Sequence, residues 1–524
     1  MKTRSLDIAV FAKAWLALGI AACALLCGAA AHAATPGITG PSFNLTAQPA
    51  NLNQPDGTAL YSWGYGCKGA PTGFAPAAIG GASCPSMQVP GPTLIVNEGD
   101  TVTVNLTNGL PAAAGNTSIL FPGFQVATTG GVQGLLTQEA ATAQTVTYTF
   151  KATTPGTHAY YSGTQSDLQV EMGLYGAVIV LPASVPGACS TGIAASNSTA
   201  QSHWGEKDFR LAKSAYDHPK SCYDREYLFQ FSEADLNIHN QALAQVTACA
   251  TAAGTCNLEV PTEPYHPNFF MINGRSMPDD MDSNYAPEYP NQPYNGNPHM
   301  HPGEQVLIRV IGQGRWQHPF HEHGNHVRIL ARDGNMILSQ SDPNSLAGPL
   351  LFTTTTTPGL AFDGIFYWTG KGLNWDAFGH NPASKDPLGN LPCNPDANGY
   401  NTGDPTALNY FEWCQDHNKP IQAAPYGDVP AGGPITLPDA NIFTNGAWYS
   451  GSPYLGPNAT TRATGVNGVF QPSNAQANPD TERGYAFMWH SHNEREITTN
   501  NVFPGGMFMM MLVDSREFVI DESN

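Results

Sequence analysis

Gly99-Asp100-Thr101-Val102-Thr103-Val104-Asn105-Leu106 decides the fold, because its pattern returns later in the chain as Gly303-Glu304-Gln305-Val306-Leu307-Ile308-Arg309-Val310. In both places a turn dipeptide opens a run of strand-forming residues, and in the first of them apolar and polar side chains alternate strictly. The downstream segments repeat as well. Ser118-Ile119-Leu120-Phe121-Pro122-Gly123 comes after the first run, and His318-Pro319-Phe320-His321-Glu322-His323-Gly324 comes after the second. Tyr160-Tyr161-Ser162-Gly163 then leads into Met172 to Val180, while Trp489-His490-Ser491-His492 leads into Pro504-Gly505-Gly506-Met507 and an apolar strand through Val513. One pattern used twice predicts an all-β chain of two related Greek-key β-sandwich domains.

The first sandwich is expected over 34–185 and the second over 262–524. Residues 186–261 hold Cys189, Cys222, Cys249 and Cys256 and read as a disulfide-bearing linker. Residues 370–480 are dense in Gly, Pro, Asn and Asp and read as a long loop insertion stapled by Cys393 and Cys414, which either covers an active site or decorates the surface.

Residues 1–33 read as a secretory signal peptide. Lys2, Arg4 and Lys13 precede an apolar run from Ala14 to Ala31, and Ala31-His32-Ala33 is a small-x-small cleavage site. The expected product is exported, periplasmic or secreted, and without a twin-arginine pair its metal would be loaded outside the cytoplasm. No later stretch is apolar for long enough to span a bilayer. In an oxidising compartment the remaining cysteines suggest disulfides, most economically 67 with 84, 189 with 222, 249 with 256 and 393 with 414. None of these lies beside the histidine motifs. The formal charge of −19 argues against nucleic acid and anionic lipid as partners and favours cations.

The chemistry is concentrated in HPFHEHG and MWHSH, which hold five of the chain's 16 histidines. On a strand, side chains alternate faces, so His321 and His323 share one face, as do His490 and His492, while His318 can join the side of Ser491. If the two segments are neighbouring strands, four imidazoles converge, which suits copper, zinc, iron or nickel. Isolated histidines are usually structural; two HxH pairs seldom are. His299-Met300-His301 reads as a turn before the second Gly303 strand more readily than as a copper contact. Met507, Met509, Met510 and Met511 suggest a copper(I) relay, although alternation places most of them in the core.

Gly91-Pro92-Thr93-Leu94 with Glu98-Gly99-Asp100, the HPFHEHG segment, and WHSH followed by PGGM together resemble the multicopper oxidases of the cupredoxin fold. The resemblance covers both halves and implies two cupredoxin-like domains. It also implies roles: His318 on a ligand of the blue (type 1) copper, His321 on a type 2 ligand, and His323, His490 and His492 on type 3 ligands. This chain departs from the pattern. Ser491 stands at the type 1 cysteine, Glu496 at the type 1 histidine, and Met507 reaches the axial position only after an insertion, Ile497 to Phe503. The first-half HxH motifs appear as Leu120-Phe121-Pro122 and Tyr161-Ser162-Gly163, and His158 does not restore them.

A serine cannot supply the soft thiolate of a blue copper, and four imidazoles cannot hold three metals, so a laccase-type four-electron cycle is not expected. The expected main site is His321, His323, His490 and His492, holding copper with a tyrosine such as Tyr161 or water completing it. His318 and Glu496, with Glu494 nearby, form a harder set suited to Mn, Fe or Zn. Three functions remain open: a metal-dependent oxidoreductase acting on a metal ion or small organic reductant, a copper-binding or storage protein, and a non-catalytic cupredoxin scaffold. Two-domain relatives often form trimers, so a trimer is among the open oligomeric states.

Overall fold

The computed structural model describes residues 34–254, 256–371, 392–415, 451–454, 484–514, 516 and 519–522. The signal segment and most of the expected insertion lie outside the described residues.

Thr101–Asn108 places Val102, Val104 and Leu106 inward and its threonines and Asn105 outward, as its alternation requires. It pairs in parallel with Ser42–Asn53 and antiparallel with Thr145–Lys151, within a five-stranded sheet completed by Ala59–Cys67 and Ala127–Gly130. The facing sheet runs Gly156–Tyr161, Tyr175–Leu181, Leu94–Asn97, Gly37–Thr39, Phe74–Ala75. Trp63, Tyr65, Phe121, Tyr148 and Tyr160 fill the space between.

The second sandwich repeats this wiring. Gln305–Gly312 pairs in parallel with Arg225–Ala234 and antiparallel with Ala361–Tyr367, in a seven-stranded sheet that also holds Phe269–Ile272 and Val327–Arg332. The facing sheet runs His299–Met300, Phe508–Asp514, Gly484–Ser491, His318–Glu322, Thr353–Thr356. Its parallel pair, His299–Met300 with Phe508–Asp514, corresponds to Leu94–Asn97 with Tyr175–Leu181 in the first domain.

The expected linker over 186–261 needs correction. Arg225–Ala234 lies inside the second domain's larger sheet, second from its edge, in the place that Ser42–Asn53 takes in the first. Both of its faces are buried, which removes the polar face that marks a surface strand. Tyr227, Phe229 and Phe231 point into the sandwich, whereas Leu228, Gln230 and Ser232 face the first domain. Leu236–Cys249 comes next as a helix whose Ile238 and Ala242 pack on the first core, with Asp235 capping its N-terminus by accepting from the Asn237 amide.

Polar contacts join the domains. Asp363 accepts hydrogen bonds from Thr157 Oγ1 at 2.5 Å and Tyr216 OH at 2.5 Å, and Arg309 ties Glu226 to this group at 2.9 Å. Among the described residues the disulfides are Cys67–Cys84, Cys189–Cys222, Cys249–Cys256 and Cys393–Cys414, the economical pairing.

Candidate metal centre

His318–Glu322 and Gly484–Ser491 are antiparallel neighbours, with Phe320 across from Ser491 and His321 across from His490. Phe320 and Trp489 point inward into the second core, so His321 and His490 stand on the outer face. Past the ends of these strands, His492 N donates to Pro319 O and His323 N donates to Met488 O, which keeps the next two histidines in register. Trp489 Nε1 donates to His323 O at 3.0 Å and anchors that loop from beneath.

The four imidazoles converge. Ring centroids are 4.7 Å apart for His321 and His323, 4.8 Å for His321 and His492, and 5.0 Å for His323 and His490. One nitrogen each from His321, His323 and His490 lies within 4.8 Å of the others, and His490 Nε2 is 3.2 Å from His323 Nε2. Outer partners fix two rings: Thr353 Oγ1 lies 2.6 Å from His321 Nδ1, and Ser491 O lies 2.7 Å from His490 Nδ1. With Nδ1–H of His490 donating to that carbonyl, its lone pair is on Nε2, facing His323.

Electrostatics favour the neutral form of His321 and His490. Burial, then the neighbouring His490 and His492, push His321 down to about 4, and burial lowers His490 in the same direction. Neutral nitrogen donors crowded at ligand spacing fit a borderline ion such as copper. His492 is half exposed, and Phe352, 53% exposed, packs edge-on to His321, so the cluster opens to solvent on that side.

His318 belongs to a different environment. It points between the sheets, where Glu496 Oε2 lies 2.8 Å from Nδ1 and Glu233 Oε2 lies 2.9 Å from Nε2. Burial opposes charge on the ring, but the two carboxylates outweigh it and raise its pKa to about 9. Ser491 Oγ donates to Glu496 at 2.5 Å, and Asn493 Nδ2 donates to its other oxygen at 2.8 Å. The expected pair His318 and Glu496 therefore meets as an imidazolium and a carboxylate. Both ring nitrogens are committed, and a Mn, Fe or Zn ion would have to displace a carboxylate. Glu494 lies on the solvent side, 3.7 Å from His492. Met507 is fully buried, and its carbonyl accepts from Ser491 N.

Glu233 escapes the reading of motifs, because its strand falls within the stretch that reads as linker. The alternation of Tyr227, Phe229 and Phe231 is the available signal. Thr353 carries no motif. Tyr161 is drawn into the seam between the domains, where it packs against Gly359, and His158 bonds Thr154 O at 2.9 Å and packs on Phe124. His299 and His301 are buried against carboxylates: His299 Nδ1 lies 2.5 Å from Asp514 Oδ2, and His301 Nε2 lies 2.6 Å from Glu206 Oε1, whose carboxylate also pairs with Arg225.

Residues 85–184 match the family model described as multicopper oxidase. A laccase, abr2, of Aspergillus fumigatus is 39% identical over 98 residues, 18% of this chain and 16% of that protein. Copper resistance protein A of Escherichia coli is 40% identical over 93 residues, 18% of this chain and 14% of that protein. The aligned stretch is thus less than a fifth of either relative. Among solved structures, multicopper oxidase mgLAC superimposes with a TM-score of 0.42 at 16% identity, covering 90% of this chain and 85% of that one.

Proposed function

We propose that this chain, a divergent member of the multicopper oxidase family, binds a single copper at His321, His323, His490 and His492 and serves outside the cytoplasm as an oxidoreductase for a metal ion or a small organic reductant. The observation that carries the proposal is the approach of His323 Nε2 and His490 Nε2 to 3.2 Å on a face shared with His321 and His492. Copper in such a site supplies one-electron chemistry between its two common oxidation states.

The chain's own residues set the terms. Thr353 and the Ser491 carbonyl orient His321 and His490, so the site is organised before a metal arrives. His321 remains neutral until the pH falls to about 4, so protons do not compete for this ligand near neutrality. His492 and Phe352 border the open side, where a reductant would approach. No cysteine stands at Ser491, and Leu120, Pro122, Tyr161 and Gly163 replace histidines of the first half, so the four-electron reduction of dioxygen is not part of the proposal.

A second reading, copper storage without turnover, draws on the His318 triad. Where the family's electron-carrying thiolate would stand, this chain has a buried chain of hydrogen bonds that runs from Glu233 through His318 and Glu496 to Ser491. Metal analysis and EPR of the purified, exported protein, followed by a screen of reductants, separate the readings. About one copper per chain with turnover supports the oxidoreductase, and copper without turnover supports storage. If His321→Ala with His492→Ala changes neither metal content nor activity, both readings fail.

A further inference from the structure

The methionine-rich segment at the end of the chain divides by face. Met507, Met509 and Met511 are fully buried in the second core, as alternation requires. Met510 has the opposite parity. It stands half-buried on the outer face, directly across from Met488 in the adjoining strand. Met488 precedes His490 by two residues and so shares its face, while His490 lies across from Phe508. The outer face thus carries two successive cross-strand pairs, His490 with Phe508 and Met488 with Met510.

The spacing suits a shared ion. Residues opposed across an antiparallel pair have Cβ atoms about 4.5–5.5 Å apart, and next-but-one residues on a strand are about 6.7 Å apart. Methionine has three flexible torsions and a polarizable sulfur, so two thioethers can meet over such a gap. Core packing does not require these side chains, since Phe487, Trp489, Met509 and Met511 on the inner face of the same strands already fill the interior. Soft thioethers select copper(I) over harder ions.

We propose that Met488 and Met510 form a two-coordinate thioether site for a soft monovalent cation, copper(I), adjoining His490. Because the adjoining His490 belongs to the histidine cluster, copper passes from the thioethers to it by exchange of ligands without a redox step. That transfer rests on the copper reading of the cluster; the thioether site itself does not.

The test uses silver(I), a redox-silent equivalent of copper(I), on the full chain labelled at its methionine methyl groups. One equivalent should shift the methyl signals of Met488 and Met510 and leave those of Met507, Met509 and Met511 in place. Met488→Leu with Met510→Leu keeps the side-chain volume. It should lose one equivalent of silver and weaken copper(I) retention against a competing chelator by about tenfold or more, with the copper(II) EPR signal of the histidines unchanged. Unshifted methyl signals, or full silver stoichiometry in that variant, overturn the proposal. In His321→Ala with His323→Ala and His492→Ala, the EPR signal should vanish while both methyl signals still shift. Failure of the cluster reading and failure of the thioether site are thereby told apart.

Discussion

In the first half of the molecule Leu120 lies across from Tyr161, and in the second half His321 lies across from His490. The correspondence extends inward. Thr117, three residues before Leu120, and Ser162 both donate to Gln169 Oε1, at 2.9 and 2.6 Å. His318, three residues before His321, and Ser491 both bond Glu496 Oε2, at 2.8 and 2.5 Å. Ser162 N donates to Leu174 O just as Ser491 N donates to Met507 O. The two halves therefore hold the same crossing of segments and the same serine-centred hydrogen bonds, neutral in one and charged in the other. The geometry belongs to the fold. The chemistry is set by which side chains occupy it, and the stretch that matches the family model, 85–184, is the half without the imidazoles.

Each part of this contrast can be broken. The largest effect is expected from His321→Ala with His490→Ala, which removes two converging donors; copper affinity should fall by more than the roughly 100-fold cost of losing an outer partner. Leu120→Ala with Tyr161→Phe, at the same positions of the first half, should leave it unchanged. Isothermal titration with copper(II) reads both.

Next comes the charged triad. His318→Ala leaves Glu233 and Glu496 buried without their cation and should destabilise the protein by about 3–5 kcal/mol in chemical denaturation. The corresponding Thr117→Val removes a neutral hydrogen bond and should cost about 1 kcal/mol.

The same triad predicts a pH dependence. The His318 pKa is raised in the folded chain, from an unfolded value of about 6.5 to about 9. Its contribution is complete below the unfolded value and is lost as pH rises through the folded one. About 3 kcal/mol should disappear between those limits, and this loss should be absent in His318→Gln. A stability curve that is flat across that window in the native chain would refute the imidazolium.

The smallest effect concerns the outer partner of the cluster. Thr353→Val frees His321 Nδ1 from its 2.6 Å contact and should weaken copper binding by about 10–100-fold. Recovery of affinity in Thr353→Ser would identify the hydroxyl as the cause.

Much of this architecture is legible in the chain. Alternation in Thr101 to Leu106 identifies a strand, and HxH spacing identifies a shared face, because side-chain direction on a strand depends only on parity. Parity also separates His318 from His321 and pairs it with Ser491. It cannot supply Glu233, which comes from a strand buried on both faces and distant in sequence, nor Thr353, whose hydroxyl has no motif. Tyr161 has the right position in the repeat, but interdomain packing draws it against Gly359.

The sequence by itself thus determined the two-sandwich plan, the outward histidine face and the absence of a thiolate ligand, all of which derive from local periodicity and residue identity. Only the tertiary structure decided that Arg225–Ala234 opens the second sandwich, that His318 is held between two carboxylates, and that Met510 lies across from Met488 on the face that carries His490. Those outcomes depend on which strands become neighbours, and strand neighbours are chosen by the burial of whole sheets rather than by any segment alone.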